Sequence, residues 1–262
     1  MINKEQIFSF FPPYLRENPA HHKHLLKEYI LLLILDYLST SKYIQKIAFI
    51  GVTHLRFIKG IDRFSEDLEF ECKNLSRDDF YKMTDSVIDF LQKLGLNALA
   101  RDKNQSGLSA FRRNIYIPGL LYDMNLSGHK DERFLVKIEA EDQNYEYDSK
   151  LAMVHSCGFF FGLPVPTDEI LCAMKISALL NRSKGRDFYD AIFLLGQTQP
   201  DFGFLKQKSG IKNMGELKES LLEHLEKVNL QHKVKDFDHL TFEKTKSRKI
   251  LHFPNLIASL ET

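Results

Sequence analysis

Residues 49–71 read FIGVTHLRFIKGIDRFSEDLEFE, and no other stretch restricts the fold as much. Gly51 is placed to make a tight turn into a short helix. Asp67 and Glu69 then stand one residue apart in an apolar run. Side chains alternate along a strand, so Asp67 and Glu69 share one face while Leu68 and Phe70 point into a core. Two acids at one strand end repel each other unless something positive sits between them. A divalent hard cation with oxygen ligands, such as Mg²⁺, meets that need. A lone Asp-x-Glu is more often a solvated face, so the rest of the chain must decide.

Hydrophobic periodicity extends the turn–helix–strand unit in both directions. Residues 1–20 read as an irregular arm, and 21–43 as a buried helix with apolar residues on most faces. Lys46–Ile50 is a short strand, Gly51–Lys59 a helix, and Asp67–Glu71 the acidic strand. Ser76-Arg-Asp-Asp79 resembles a capping box opening a helix over 77–93, which Gly95 ends. Strands are expected at 96–103 and 108–117 around a Lys103–Gly107 turn, then at Phe134–Glu141 and Phe159–Val165. Thr167 is placed as an N-cap, and helices follow at 168–182, 187–196, 215–228 and 233–246. The expectation is an α+β chain: a mixed sheet flanked by helices, followed by a helical C-terminal part.

Bulk properties exclude some classes. With 36 basic and 35 acidic residues the formal net charge is +1, so a nucleic-acid partner would need a local basic patch. Lys244–Lys249, Arg112-Arg113 and Arg101-x-Lys103 are the candidates for one. The three cysteines lie far apart without CxxC spacing, which fits a reducing cytosol. The most apolar segment, Tyr29–Leu35, is too short to span a bilayer, and the N-terminus lacks a signal-peptide pattern. A cytoplasmic protein without a membrane partner is expected. His21, His22 and His24 form a weak transition-metal candidate against a plain solvated helix start.

Glu139, on the later strand, supplies a third acid if its strand neighbours the Asp67 strand with matching ends. Three carboxylates around Mg²⁺, with other positions left for water and phosphate oxygens, suit phosphoryl transfer. A Gly before a helix lets backbone N–H groups approach a phosphate. Lys175 and Arg182 lie seven apart on one helix face. They are suited to triphosphate oxygens; alternatively Arg182 or Arg186 pairs with Asp187 or Asp190 to tie helices together.

In this order the residues resemble a known family. Gly51-Val52-Thr53, a helix, and Arg63-Phe-Ser65-Glu-Asp67-Leu-Glu69 resemble the first motif of the DNA polymerase β-like nucleotidyltransferase superfamily. More narrowly, they are similar to the AbiEii/AbiGii-type toxins. Val136-Lys137-Ile138-Glu139 resembles the strand of the third acid. Lys175, Arg182 and Arg186-Asp187-Phe-Tyr-Asp190 resemble the later helical motif. The likeness runs over about 49–195.

The element pattern divides the chain into 1–165, which with the resemblance reads as a nucleotidyltransferase-like α/β domain with an N-terminal helical arm, and a helical domain over 166–262. The resemblance implies an enzyme that uses Mg²⁺, or Mn²⁺ in its place, to move a nucleoside monophosphate from a triphosphate onto a hydroxyl. The implied acceptor is RNA, namely the 3′ end of tRNA. The implied role is the toxin of a toxin–antitoxin or phage-defence pair, with a cognate antitoxin as partner. Asp67, Glu69 and Glu139 would hold metal, Glu139 also helping to deprotonate the acceptor. Gly51 and Thr53 would cradle phosphates. Arg63, Ser65, Lys137, Arg186, Asp187 and Asp190 would belong to the nucleotide site. Lys175 and Arg182 would offset charge on the leaving pyrophosphate. Two positions depart from the pattern: Val52 replaces a second Gly, and Glu69 replaces an Asp. They leave, as the alternative, a catalytically weakened binding module of the same fold.

Overall fold

The computed structural model describes residues 3–102 and 110–261. The chain divides into two compact units, residues 1–60 with 64–165 and residues 61–63 with 166–262.

The first unit is built on a five-stranded sheet in the order β1-β2-β5-β4-β3. Its strands are β1 (Ile47–Ile50), β2 (Asp67–Cys72), β3 (Leu99–Ala100), β4 (Phe111–Tyr116) and β5 (Leu135–Glu141). Only β2 and β5 run parallel; the other pairings are antiparallel. Leu68, Phe70, Val136, Ile138 and Ile115 are buried, and alternation turns the intervening acids and Lys137 to the opposite face. Helix α5 (Arg77–Lys93) buries Phe80, Met83, Val87 and Leu91, and the Ser76 hydroxyl caps it by accepting from the Asp79 N–H. Arg113 is buried among them and donates to Thr84, Asp85 and Asp102, so a guanidinium sits in this region with three partners.

Helix α3 (His22–Ser39) is buried on most of its surface, as its unpatterned apolar run predicts. It packs on β7 (Phe159–Val165) and on α1 (Lys4–Ser9). Helix α1, α2 (Pro13–Arg16), α4 (Gly51–Phe57) and α6 (Leu120–Asp123) complete the unit. The N-terminal arm is therefore helical rather than irregular: the Asn3 side chain caps α1, and Pro12-Pro13 starts α2. The strand β6 (Lys150–Ser156) was not anticipated. It forms a hairpin with β7 through Cys157-Gly158, both at positive φ, the geometry of a type I′ turn. Of the expected 96–103 strand only β3 forms, and the expected Lys103–Gly107 turn lies outside the described residues.

The second unit contains α7 (Asp168–Arg182), α8 (Gly185–Leu195), α9 (Phe202–Ser209), α10 (Met214–Glu226), α11 (Leu230–Lys235) and α12 (Phe253–Ser259). Thr167 stands at the N-cap of α7, without a side-chain cap hydrogen bond. The single helix expected over 233–246 is instead α11 followed by 3₁₀ turns at Asp238–Leu240 and Lys244–His252. Phe237, Leu240 and Phe242 are all buried, a spacing that one helix face cannot satisfy. Helices α9 and α12 were missed because each is short and set off by loop-like sequence. Among the described residues no helix is long and apolar enough to cross a membrane.

Candidate active site

The acidic face of the sheet is assembled by strand register. Across β2 and β5, Asp67 stands opposite Lys137 and Glu69 opposite Glu139; across β5 and β4, Glu139 stands opposite Arg112. Neighbouring strands lie about 4.8 Å apart, so Glu69 and Glu139 are adjacent, with Asp67 two residues along the same face. This is the condition of neighbouring strands with matching ends.

The three acids are not left to repel each other. Lys137 Nζ lies 2.9 Å from Asp67 Oδ2 and 3.2 Å from Glu139 Oε2. Arg112 forms a second ion pair with Glu139. Burial works against the Lys137 charge, but its bonds to Asp67 and Glu139 outweigh burial and hold the ammonium above its usual range. At neutral pH this lysine is charged and bridges two carboxylates.

Glu69 takes a different position. Gly51 sits at φ +80°, and a Cβ built on it would come within 1.8 Å of Glu69 Oε2. The Glu69 carboxylate therefore covers the Gly51 Cα at the start of α4, and no larger residue fits at 51. The additional methylene of Glu over Asp is what gives the group this reach.

The donor set tests well for a hard cation in kind, since all three groups are carboxylates on one sheet face. In arrangement, no three acidic, His or Cys side chains converge as a ready metal cage among the described residues. Lys137 holds Asp67 and Glu139, and a metal there would take them over.

Other residues expected at the nucleotide have structural partners. Thr53 is buried and its hydroxyl donates to the Asp67 carbonyl, tying α4 to β2 rather than facing a phosphate. Ser65 is buried, and its N–H lies 3.4 Å from Glu28 Oε1. Glu28 also pairs with Arg56 at 2.9 Å, yet burial dominates and pushes its carboxyl up. The histidines of the metal candidate pack instead: His21 and His24 lie against the Phe64 ring, and His22 bonds the Arg16 carbonyl.

In the second unit, Arg63 is 1% exposed and grips Asp190 with Nε–Oδ1 at 2.8 Å and Nη2–Oδ2 at 2.9 Å. Lys175 Nζ reaches the same carboxylate at 3.0 Å. Burial raises the Asp190 carboxyl, and the Arg63 and Lys175 charges more than reverse this, leaving it below the usual range. Arg182 forks onto the buried Asp187 at 2.7–3.2 Å, and Asp187 also accepts from the Lys184 N–H at 3.0 Å, capping α8. Asp187 and Asp190 thus tie helices together, the second of the two readings left open. Arg186 begins the same helix. Asp62 gathers Tyr189, Lys246 and Lys249, which draws two lysines of the expected 244–249 basic run into an ion cluster. No sequence signal marked Asp62, because its partners lie 127 and more residues away.

No curated protein sequence matches the chain. The solved structures that share its fold include the following two. One is MenT4, the nucleotidyltransferase toxin Rv2826c from Mycobacterium tuberculosis H37Rv. It matches at 16% identity and a TM-score of 0.67, over 100% of this chain and 91% of that one. The other is JHP933 from Helicobacter pylori, at 17% identity and a TM-score of 0.55, over 90% of both chains. The family model for the nucleotidyl transferase AbiEii toxin, type IV toxin–antitoxin system, matches residues 33–249. Nucleotidyltransferases of this family generally use a divalent metal, and their toxin–antitoxin setting implies a cognate antitoxin. The chain belongs to the AbiEii nucleotidyltransferase toxin family of type IV toxin–antitoxin systems, and it is a nucleotidyltransferase.

Proposed function

We propose that this toxin moves a nucleoside monophosphate from a nucleoside triphosphate onto a hydroxyl of RNA, the 3′ end of tRNA being the acceptor, with Mg²⁺ as its metal. One observation carries the reading: Asp67, Glu69 and Glu139 are set in register on one sheet face beside a helix that starts at a glycine. These three carboxylates would hold the divalent cation. When bound, it would supply positive charge to the triphosphate and to the attacking oxygen.

The chain's own groups have separate tasks. Arg112 orients the Glu139 carboxylate, which would take a proton from the acceptor hydroxyl. Lys137 bridges Asp67 and Glu139 and holds them close together until they are engaged. The open backbone at Gly51 would admit a phosphate to the first turn of α4 once Glu69 turns toward metal. In the second unit the Asp190 carboxylate joins Arg63 and Lys175 in a buried ion cluster that holds α7 and α8 in place.

The test is to incubate the protein with each labelled triphosphate, Mg²⁺ and total tRNA. Labelled RNA that is lost with Asp67→Asn supports the proposal. No transfer under any triphosphate, or transfer that survives the substitution, overturns it. The ion pairs already made by Lys137 and Arg112, together with Val52 in the turn, favour a second reading, nucleotide binding without turnover. Calorimetric binding without product, with transfer restored by Val52→Gly, would select it.

A further inference from the structure

The second unit contains a concavity of about 350 Å³ that none of the chemistry above uses. It is lined by Ser183, His224, Lys227, Val228, Asn229, His232 and Lys233. No carboxylate lines it. Two lysines, two histidines, the Asn229 amide and a hydroxyl supply its polar groups.

The position of these groups is fixed by the backbone around them. Ser183 ends α7 at φ +49°, a left-handed conformation that is unfavourable for a residue with a Cβ. Its Oγ lies 2.7 Å from His224 Nε2 on α10. Gly185 lets α11 press against the start of α8: a Cβ there would come within 2.0 Å of the Lys233 carbonyl oxygen. The His224 ring is further held against Phe188, with centroids 6.4 Å apart.

We propose that this concavity binds a phosphate oxyanion, supplied by a free nucleotide or by the backbone of an RNA chain. A phosphate offers several acceptor oxygens, and the lining offers donors without a competing acid. Asp236 lies 3.7 Å from Lys233 Nζ, too long for a strong bond, and its side chain is 48% exposed. Burial first, then the charges of Lys227 and Lys233, hold His224 below its usual titration range. The imidazole is therefore neutral at pH 7 and makes one hydrogen bond with the Ser183 hydroxyl. In one tautomer Nε2–H donates to Oγ, and the hydroxyl proton, which has the Leu179 carbonyl as a long acceptor at 3.4 Å, can turn from it to a phosphate oxygen. The volume exceeds what a bare phosphate needs and is in the range of small-ligand sites, leaving room for an attached sugar.

The experiment titrates inorganic phosphate, a ribonucleoside monophosphate and a short single-stranded RNA into the full chain, following the His224 and His232 ring protons by NMR. The expected result is a saturable shift of both rings. Lys227→Gln with Lys233→Gln should weaken binding about tenfold or more without changing the melting temperature. In the RNA arm the same pair should lower the salt slope by about 1.4, two contacts at about 0.7 each. Saturation by the monophosphate at the affinity of RNA assigns the site to free nucleotide, and much tighter RNA binding assigns it to the backbone. Absence of a shift with all three ligands at millimolar concentration overturns the proposal. So does binding that the double substitution leaves intact. Because the readout is binding, it is independent of whether the chain transfers nucleotides to tRNA.

Discussion

Replacing Asp190 by Asn tests what the helical motif does. The carboxylate is 1% exposed and receives bonds from Arg63 at 2.8 and 2.9 Å and from Lys175 at 3.0 Å. Asn keeps the shape and removes the charge, so two cations, 1% and 8% exposed, lose their counter-ion. Breaking a buried pair by removing one partner costs about 3–5 kcal/mol. That is a large share of the roughly 5–15 kcal/mol that holds a typical domain. At about 2–4 °C per kcal/mol for a chain of this size, the melting temperature should fall by roughly 6–20 °C. The assay is thermal unfolding by circular dichroism, paired with hydrogen exchange of α7 and α8. A compensated variant, Arg63→Met with Asp190→Leu and Lys175→Met, should recover most of the loss, since apolar replacement of an entire buried ionic group is often neutral. A drop below about 2 °C in Asp190→Asn, with nucleotide transfer alone abolished, would refute the structural account and make the cluster catalytic. The acid limb follows the same logic. The Asp190 carboxyl is held below its ordinary value, so its contribution is present above that value and is lost as pH falls through the folded-state value. Asp190→Asn should lack that acid-side loss.

Three further outcomes are expected. Gly51→Ala forces a residue with a Cβ into φ +80° and drives it into the Glu69 carboxylate, so stability should fall by about 1–3 kcal/mol in chemical denaturation; an unchanged midpoint would show that Glu69 does not cover the turn. Lys137→Met releases Asp67 and Glu139, so Mg²⁺ affinity measured by calorimetry should rise, and a fall would mean that Lys137 helps to form the metal site. Asp62 is shifted to about 2, since the bonds from Tyr189, Lys246 and Lys249 outweigh burial. Its stabilisation is therefore complete above about 4 and disappears as pH falls toward 2. Asp62→Asn should cost about 1–2 kcal/mol at pH 7 after discounting for exposure, and should match the wild type near pH 2.

The acidic strand was legible because its information is local. Alternation alone assigns Asp67 and Glu69 to one face, and a strand of matching period carries Glu139. The resident cations were not legible. Lys137 was expected at the nucleotide, yet it bridges the acids, because a parallel register sets it directly across from Asp67. Arg112 was read as part of a basic surface, and only the β4–β5 pairing puts it on Glu139. Thr53 and Ser65 follow a motif whose hydroxyls suggest phosphate, whereas burial depends on packing that periodicity does not encode. Strand β6 escaped notice because Leu151, Met153 and Phe160 are exposed, which blurs the alternation of a half-buried hairpin.

Residues 61–63 belong to the compact unit formed by 166–262, although the chain reaches them a hundred residues earlier. During synthesis Arg63 emerges 127 residues ahead of Asp190. Until then the bidentate pair with Asp190 cannot form. The C-terminal unit therefore cannot be isolated by a cut at 165. A fragment of 166–262 would lack both Arg63 and Asp62, so Asp190 would keep Lys175 but lose the fork of Arg63, and Lys246 would lose the Asp62 carboxylate. Supplying residues 61–63 in a separate N-terminal fragment should restore that fold only when the two pieces meet, which makes the segment a natural place to split the toxin into complementing halves.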